Sequence, residues 1–137
     1  MLRKGLIAMV LSVFAVLGGL AVVAGDEEVA AEGRFVKKSK SISGGFVIKK
    51  QGERYVLELT EDFKTKSGPD LQILFSPKTL SALNGKNATN KALTITLLKK
   101  TRGSQTYTLP ADFDPTRYKS VLIHCVKYAV LWGGGEL

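Results

Sequence analysis

From Gly33 onward apolar and polar residues alternate with a period of two, interrupted by clusters of Gly, Pro, Asn and Asp. That period places successive side chains on opposite faces of an extended strand. "GRFVKKS" predicts a short first strand with Phe35 inward. "GGFVIKKQGERYVLELTEDF" predicts a hairpin turning near Gln51-Gly52, with Phe46 on its first arm. On the second arm Tyr55, Leu57 and Leu59 share one face, and Val56, Glu58 and Thr60 the other. "SGPD" is a turn, because proline fixes φ and glycine tolerates positive φ. "DLQILFSP" then sets Leu71, Ile73 and Phe75 on one face. "KTLSALNGKNATNK" is polar and reads as a loop. "ALTITLLKK" predicts a strand with Leu93, Ile95 and Leu97 inward. "TRGSQ" turns the chain, "TYTLP" is a strand with Tyr107 and Leu109 inward, and "ADFDPTRY" is a long turn closed by Pro115.

The last apolar run, "SVLIHCVKYAVLW", changes parity. Val121, Ile123 and Cys125 occupy odd positions; Tyr128, Val130 and Trp132 occupy even ones. One extra residue reverses the faces of a strand, so the pattern predicts a bulge or tight bend between Cys125 and Tyr128. Short strands at this spacing, without helical punctuation, predict an all-β fold over residues 33–137. We expect an antiparallel sandwich or barrel of about seven or eight strands, with Phe63, Tyr128, Val130 and Trp132 completing the core.

The N-terminus follows another pattern. Arg3 and Lys4 precede an uncharged apolar run from Leu6 to Ala24, ending in small residues. This is the layout of a secretory signal, with Val22 and Ala24 at the −3 and −1 positions of a cleavage site after Ala24. Val29 and Ala31 offer a second site. The competing reading is an uncleaved anchor helix over residues 6–24, nearly long enough to span a bilayer. Either reading places the rest of the chain outside the cytoplasm: secreted, periplasmic or membrane-tethered. Residues 25–32, acidic and small, read as a linker.

The 137 residues carry 20 Lys and Arg against 12 Asp and Glu, a net charge of +8. Arg3 and Lys4 account for two of these, leaving 8 − 2 = +6 beyond residue 24. A basic balance favours an anionic neighbour such as a lipid or polysaccharide surface. The cations are scattered in three groups: Lys37, Lys38 and Lys40; Lys49 and Lys50; Lys99, Lys100 and Arg102. Without an arginine-rich helix or interleaved aromatics, a nucleic-acid partner is not expected.

Chemistry-bearing residues are few. The one cysteine, Cys125, follows the one histidine, His124. A lone cysteine outside the cytosol is buried, paired with another molecule, or a reactive thiol. Adjacent strand residues face opposite ways, which argues against a Cys–His dyad. One His and one Cys also fall short of the three or four ligands of a zinc or copper site, so no metal and no cofactor is expected. Glu61, Asp62, Asp70, Asp112 and Asp114 flank turns, where capping explains them. "NAT", Asn87 to Thr89, matches a glycosylation acceptor. No catalytic constellation is complete, and an enzyme acting alone is not expected.

Taken together, "YVLELTEDFKTKSGPDLQILFSP", "LLKKTRGSQTYTLPADFD" and "YKSVLIHCVKYAVLWGGGEL" resemble the electron transfer DM-thirteen family, over about Gly33 to Leu137. The matching positions are Leu59 and Phe63; Gly68, Pro69, Asp70 and Leu71; Gly103, Gln105, Tyr107, Leu109 and Pro110; and Ser120, Val121, Ile123 and Cys125, followed by Tyr128, Trp132 and Gly133. The resemblance implies a small extracytoplasmic β domain whose cysteine has a redox or electron-transfer role. Cys125 would then be the redox thiol, with Tyr128 and Trp132 as its aromatic surround and a redox protein as partner. This chain departs from the family pattern at His124, where an aromatic is usual, and at Gly135, where alanine is common. The alternative function is a non-catalytic cell-surface binding module in which Cys125 is only packed.

Overall fold

The computed structural model describes residues 27–137. The segment read as a signal or anchor, residues 1–24, lies outside the described residues. Among the described residues eleven strands form, in the order β1 (Glu27–Arg34), β2 (Val36–Lys37), β3 (Ile42–Ser43), β4 (Gly45–Gln51), β5 (Arg54–Leu59), β6 (Lys64–Thr65), β7 (Leu71–Ser76), β8 (Leu93–Leu97), β9 (Gln105–Thr108), β10 (Ser120–Cys125) and β11 (Val130–Glu136). Two short 3-10 turns, Leu80–Ala82 and Pro115–Arg117, are the helical elements among the described residues. Neither is long and apolar enough to cross a membrane.

The strands make a sandwich. One sheet has the order β1-β4-β5-β9, the other β2-β11-β10-β7-β8, and β3 pairs with β6 at one end. Every pairing is antiparallel. The sheets do not close on one another, which removes the barrel alternative. The N-terminal strand passes from one sheet to the other at Phe35: β1 pairs with β4, and β2 pairs with β11. That corner replaces the single first strand expected over "GRFVKKS". The expected linker is corrected by the same pairing. Glu27–Glu32 belongs to β1, because its backbone completes the ladder on the free edge of β4. None of its residues is fully buried, so hydrophobic alternation gave no signal.

Between the sheets lies the main core: Phe35, Phe46, Ile48, Leu57, Leu59, Phe63, Ile73, Phe75, Tyr107, Leu109, Phe113, Val121, Ile123, Cys125 and Trp132. A second cluster covers the opposite face of the five-stranded sheet, where Leu74, Leu122 and Leu131 meet Leu80, Leu83 and Ala88. The segment read as a polar loop therefore carries apolar residues that seal the sheet's outer face. This explains why β10 is buried at all six positions.

Two inward assignments fail. Leu97 is 56% exposed. The register of β7 on β8 shifts between Ile73–Thr96 and Leu74–Thr94, so Ile95 is an extra residue. Past that bulge the faces reverse: Leu97 pairs with Gln72 and Leu98 turns toward the core. Tyr128 is 61% exposed, because it sits in the four-residue turn Val126–Ala129 that joins β10 to β11. That turn is the tight bend expected from the parity change. A bulge follows, at Trp132: Ile123 pairs with Gly133, but His124 pairs with Leu131.

Candidate functional site

Cys125 ends β10, opposite Leu71 of β7 and Val130 of β11. Its side chain points between the sheets and is 1% exposed. The chain just before β7, Lys66–Asp70, crosses over this end of the sandwich. Proline cannot donate a ladder bond, so the strand starts only at Leu71 and the preceding carbonyls are left free. Two buried side chains use them. The Cys125 thiol donates to the Pro69 carbonyl at 3.0 Å, and the Trp132 indole N–H donates to the Lys66 carbonyl at 3.0 Å. The Val126 amide adds a bond to the Asp70 carbonyl at 3.2 Å.

Gly68 fits this cover closely. A Cβ there would meet Trp132 Cζ2 at 2.6 Å, so the ring lies directly under the backbone. Gly68 and Pro69 are themselves exposed. The thiol is thus buried but only one backbone layer from solvent. The Pro69 carbonyl, an acceptor, takes the S–H bond. Lys40 lies over the Trp132 ring, its ammonium 5.7 Å from the centroid.

Cys125 and Trp132 are therefore brought under one segment. Tyr128 is not; it stands at the turn tip with Lys127 Nζ 5.4 Å from its ring centroid. His124 is separated from the thiol by strand alternation and faces the outer layer, in a row with Leu131, Gln72 and Leu97. It is 1% exposed, and its Nδ1 has no hydrogen-bond partner. Burial pushes its pKa below the ordinary 6.5, with the Asp70 carboxylate opposing. Asp70 is held in a left-handed backbone conformation (φ 56°) and accepts from Gln72 Nε2 at 2.8 Å.

The other carboxylates act locally. Asp62 pairs with Arg34 and accepts from Thr60, which holds its pKa below the ordinary value. Asp114 accepts from the Thr116 amide at the start of the second 3-10 turn. Asn87 Oδ1 accepts from the Asn84 amide and its Nδ2 donates to the Ala82 carbonyl, so the acceptor asparagine also organises its own loop. Among the described residues no group of three or more His, Cys, Asp or Glu is placed to hold a metal ion.

Sequence reasoning missed the covering role of Lys66–Asp70. The signal was present in the Gly-Pro-Asp turn, but nothing local says which buried donors its carbonyls will meet. Among comparisons with known proteins, no curated protein and no solved structure matches. The family described as "Electron transfer DM13" matches residues 34–136, spanning β2 to β11 and including Cys125, Trp132 and the segment that covers them. The chain belongs to the Electron transfer DM13 family.

Proposed function

We propose that this domain is an extracytoplasmic electron-transfer accessory that acts through Cys125 on a partner protein. One observation carries the reading: the thiol and the Trp132 indole are both tied to the exposed Lys66–Pro69 backbone, so displacing a single segment presents the sulfur. Once uncovered and deprotonated, the Cys125 thiolate attacks a partner disulfide. A new S–S bond forms to Cys125, the partner's S–S bond breaks, and the leaving thiolate takes up a proton. The partner supplies the oxidising equivalent, and the domain is not expected to turn over alone. Family membership and the retained cysteine support this reading.

Thiol reaction of the folded domain with an aromatic disulfide reagent tests it. The expected rate in water exceeds the global unfolding rate measured under the same conditions. A rate that equals global unfolding, together with an unaltered cellular role for Cys125→Ser, would sink the proposal. The second reading, a non-catalytic surface module with a packed cysteine, draws on the 1% exposure of Cys125 and predicts that outcome.

A further inference from the structure

The Gly-x-Gln-x-Tyr positions, Gly103 before β9 and Gln105 and Tyr107 within it, do work that the thiol does not need. Gln105 is buried and accepts from the Lys100 amide at 3.2 Å while donating to the Lys100 and Gly103 carbonyls at 3.0 and 3.1 Å. The buried Tyr107 hydroxyl accepts from the Lys99 amide at 2.9 Å and donates to Gln105. From the other side, the Thr65 amide donates to the Thr101 carbonyl at 2.8 Å and the Gly103 amide to the Phe63 carbonyl at 2.9 Å. A loop fixed at this many backbone groups is preorganised, and a preorganised wall loses little entropy on binding.

That wall bounds a hollow of about 540 Å³ between Gly68–Leu71 and Leu97–Arg102. Leu97, solvent-exposed on the edge strand, and Leu98 give it apolar surface. Lys100 and Arg102 give it charge, and both are exposed. Neither enters an ion pair among the described residues, where the pairs are Arg34 with Asp62 and Lys49 with Glu27 and Glu58. Lys99 is occupied elsewhere, its ammonium bonded to the Thr106 carbonyl at 2.7 Å. One carboxylate, Asp70, also lines the hollow; the bond from Gln72 leaves its charge in place, but Lys99, Lys100 and Arg102 outnumber it and keep the lining positive.

We infer that this hollow is a binding site for a small amphipathic anion, with an apolar body against Leu97 and Leu98 and a carboxylate, sulfonate or phosphate between Lys100 and Arg102. Two unneutralised cations beside apolar surface on a rigid loop are complementary to that ligand class. The site lies on the outer side of the segment that covers Cys125, and its binding does not depend on the thiol.

Amide chemical-shift titration of the isotope-labelled domain with naphthalene-2-sulfonate tests the inference, with naphthalene-2-methanol as the neutral control. Saturable shifts are expected at Gly68, Leu71, Leu98 and Thr101, with the neutral compound binding about tenfold more weakly. Lys100→Glu with Arg102→Glu removes the preference for the anion; both side chains are exposed, and the variant's own spectrum checks its fold. Cys125→Ser binds as the wild type does, so the thiol reading and this one fail separately. Absent saturation, equal binding of the neutral compound, unchanged affinity in the double variant, or shifts mapping elsewhere would overturn it. Binding only to phosphatidylglycerol vesicles, without response to the soluble anion, would overturn it as well.

Discussion

His124 shows how one residue can be placed by packing and still carry a cost. It lies on the sealed outer face of β10 with Nδ1 unsatisfied, and a buried polar atom without a partner costs about 1–3 kcal/mol. Burial also makes its protonation harder in the folded chain than in the unfolded one. The unfolded chain takes up a proton as pH falls below the ordinary 6.5, while the folded chain resists. The neutral histidine's contribution is therefore complete above that value and is lost as pH falls through it toward the lower folded-state value. His124→Leu should raise stability by about 1 kcal/mol at neutral pH and flatten the dependence below it. Denaturant midpoints of both proteins at pH 7.5 and 5.5 check this; a wild-type-to-variant difference that does not grow at the lower pH contradicts it. The adjacent pair that looks reactive in the sequence is split by alternation alone, which was legible without coordinates. The burial of His124 was not, since chain distant in sequence, the segment that carries Leu80, Leu83 and Ala88, folds over the outer face of the sheet.

At the scale of elements, the Lys66–Asp70 segment and the glycines of β11 set the fit. Gly68→Ala would push a methyl group into the Trp132 ring, so the cover must lift. We expect a loss of about 1–3 kcal/mol from overpacking and a faster Cys125 reaction with disulfide reagents. Slower or unchanged reaction would show that the segment does not govern access. Gly135, an expected departure from the family pattern, is explained by Phe46: a Cβ at Gly135 would meet Phe46 Cε1 at 2.5 Å and the Arg34 carbonyl at 2.8 Å. Gly135→Ala should cost about 1–3 kcal/mol, and less in a Phe46→Leu background; strictly additive thermal or denaturant stabilities would refute the coupling. Hairpins were the most legible elements. The β4–β5 turn is Gly52-Glu53, one residue past the expected Gln51-Gly52, and Gly52 has φ 63°, as a turn glycine can. Bulges were not legible in the same way. The one at Ile95 reverses Leu97, and apolar alternation through "LTITL" runs on without a break. Tyr128 misled for a related reason: apolar parity cannot distinguish a turn tip from a strand.

For the whole molecule, the sandwich leaves β1 as an outer strand whose value lies in its backbone rather than its side chains. It satisfies the β4 edge, and Glu27 adds contacts to Lys49 and Gln51. Removing residues 27–32 should lower stability modestly and expose that edge to pairing with a second copy. Light scattering after size exclusion checks this: a shortened domain that stays monomeric at high concentration would contradict it. The same geometry bears on processing. Cleavage after Ala24 leaves β1 whole, whereas cleavage after Ala31 cuts within it. Fold class and most of the inter-sheet core were readable from period and turn chemistry. The corner at Phe35 and the strand before it were not, because backbone pairing leaves no hydrophobic imprint.

The single indole in the chain, Trp132, is bonded to the same short segment that hides the sulfur. The molecule consequently carries its own optical gauge. Movement of that segment breaks the Lys66 bond and wets the ring, shifting its fluorescence to longer wavelength without any added label. Stopped-flow emission recorded alongside thiol modification would then put both events on one clock. The order of the two signals would tell whether sulfur chemistry waits for the ring to be uncovered.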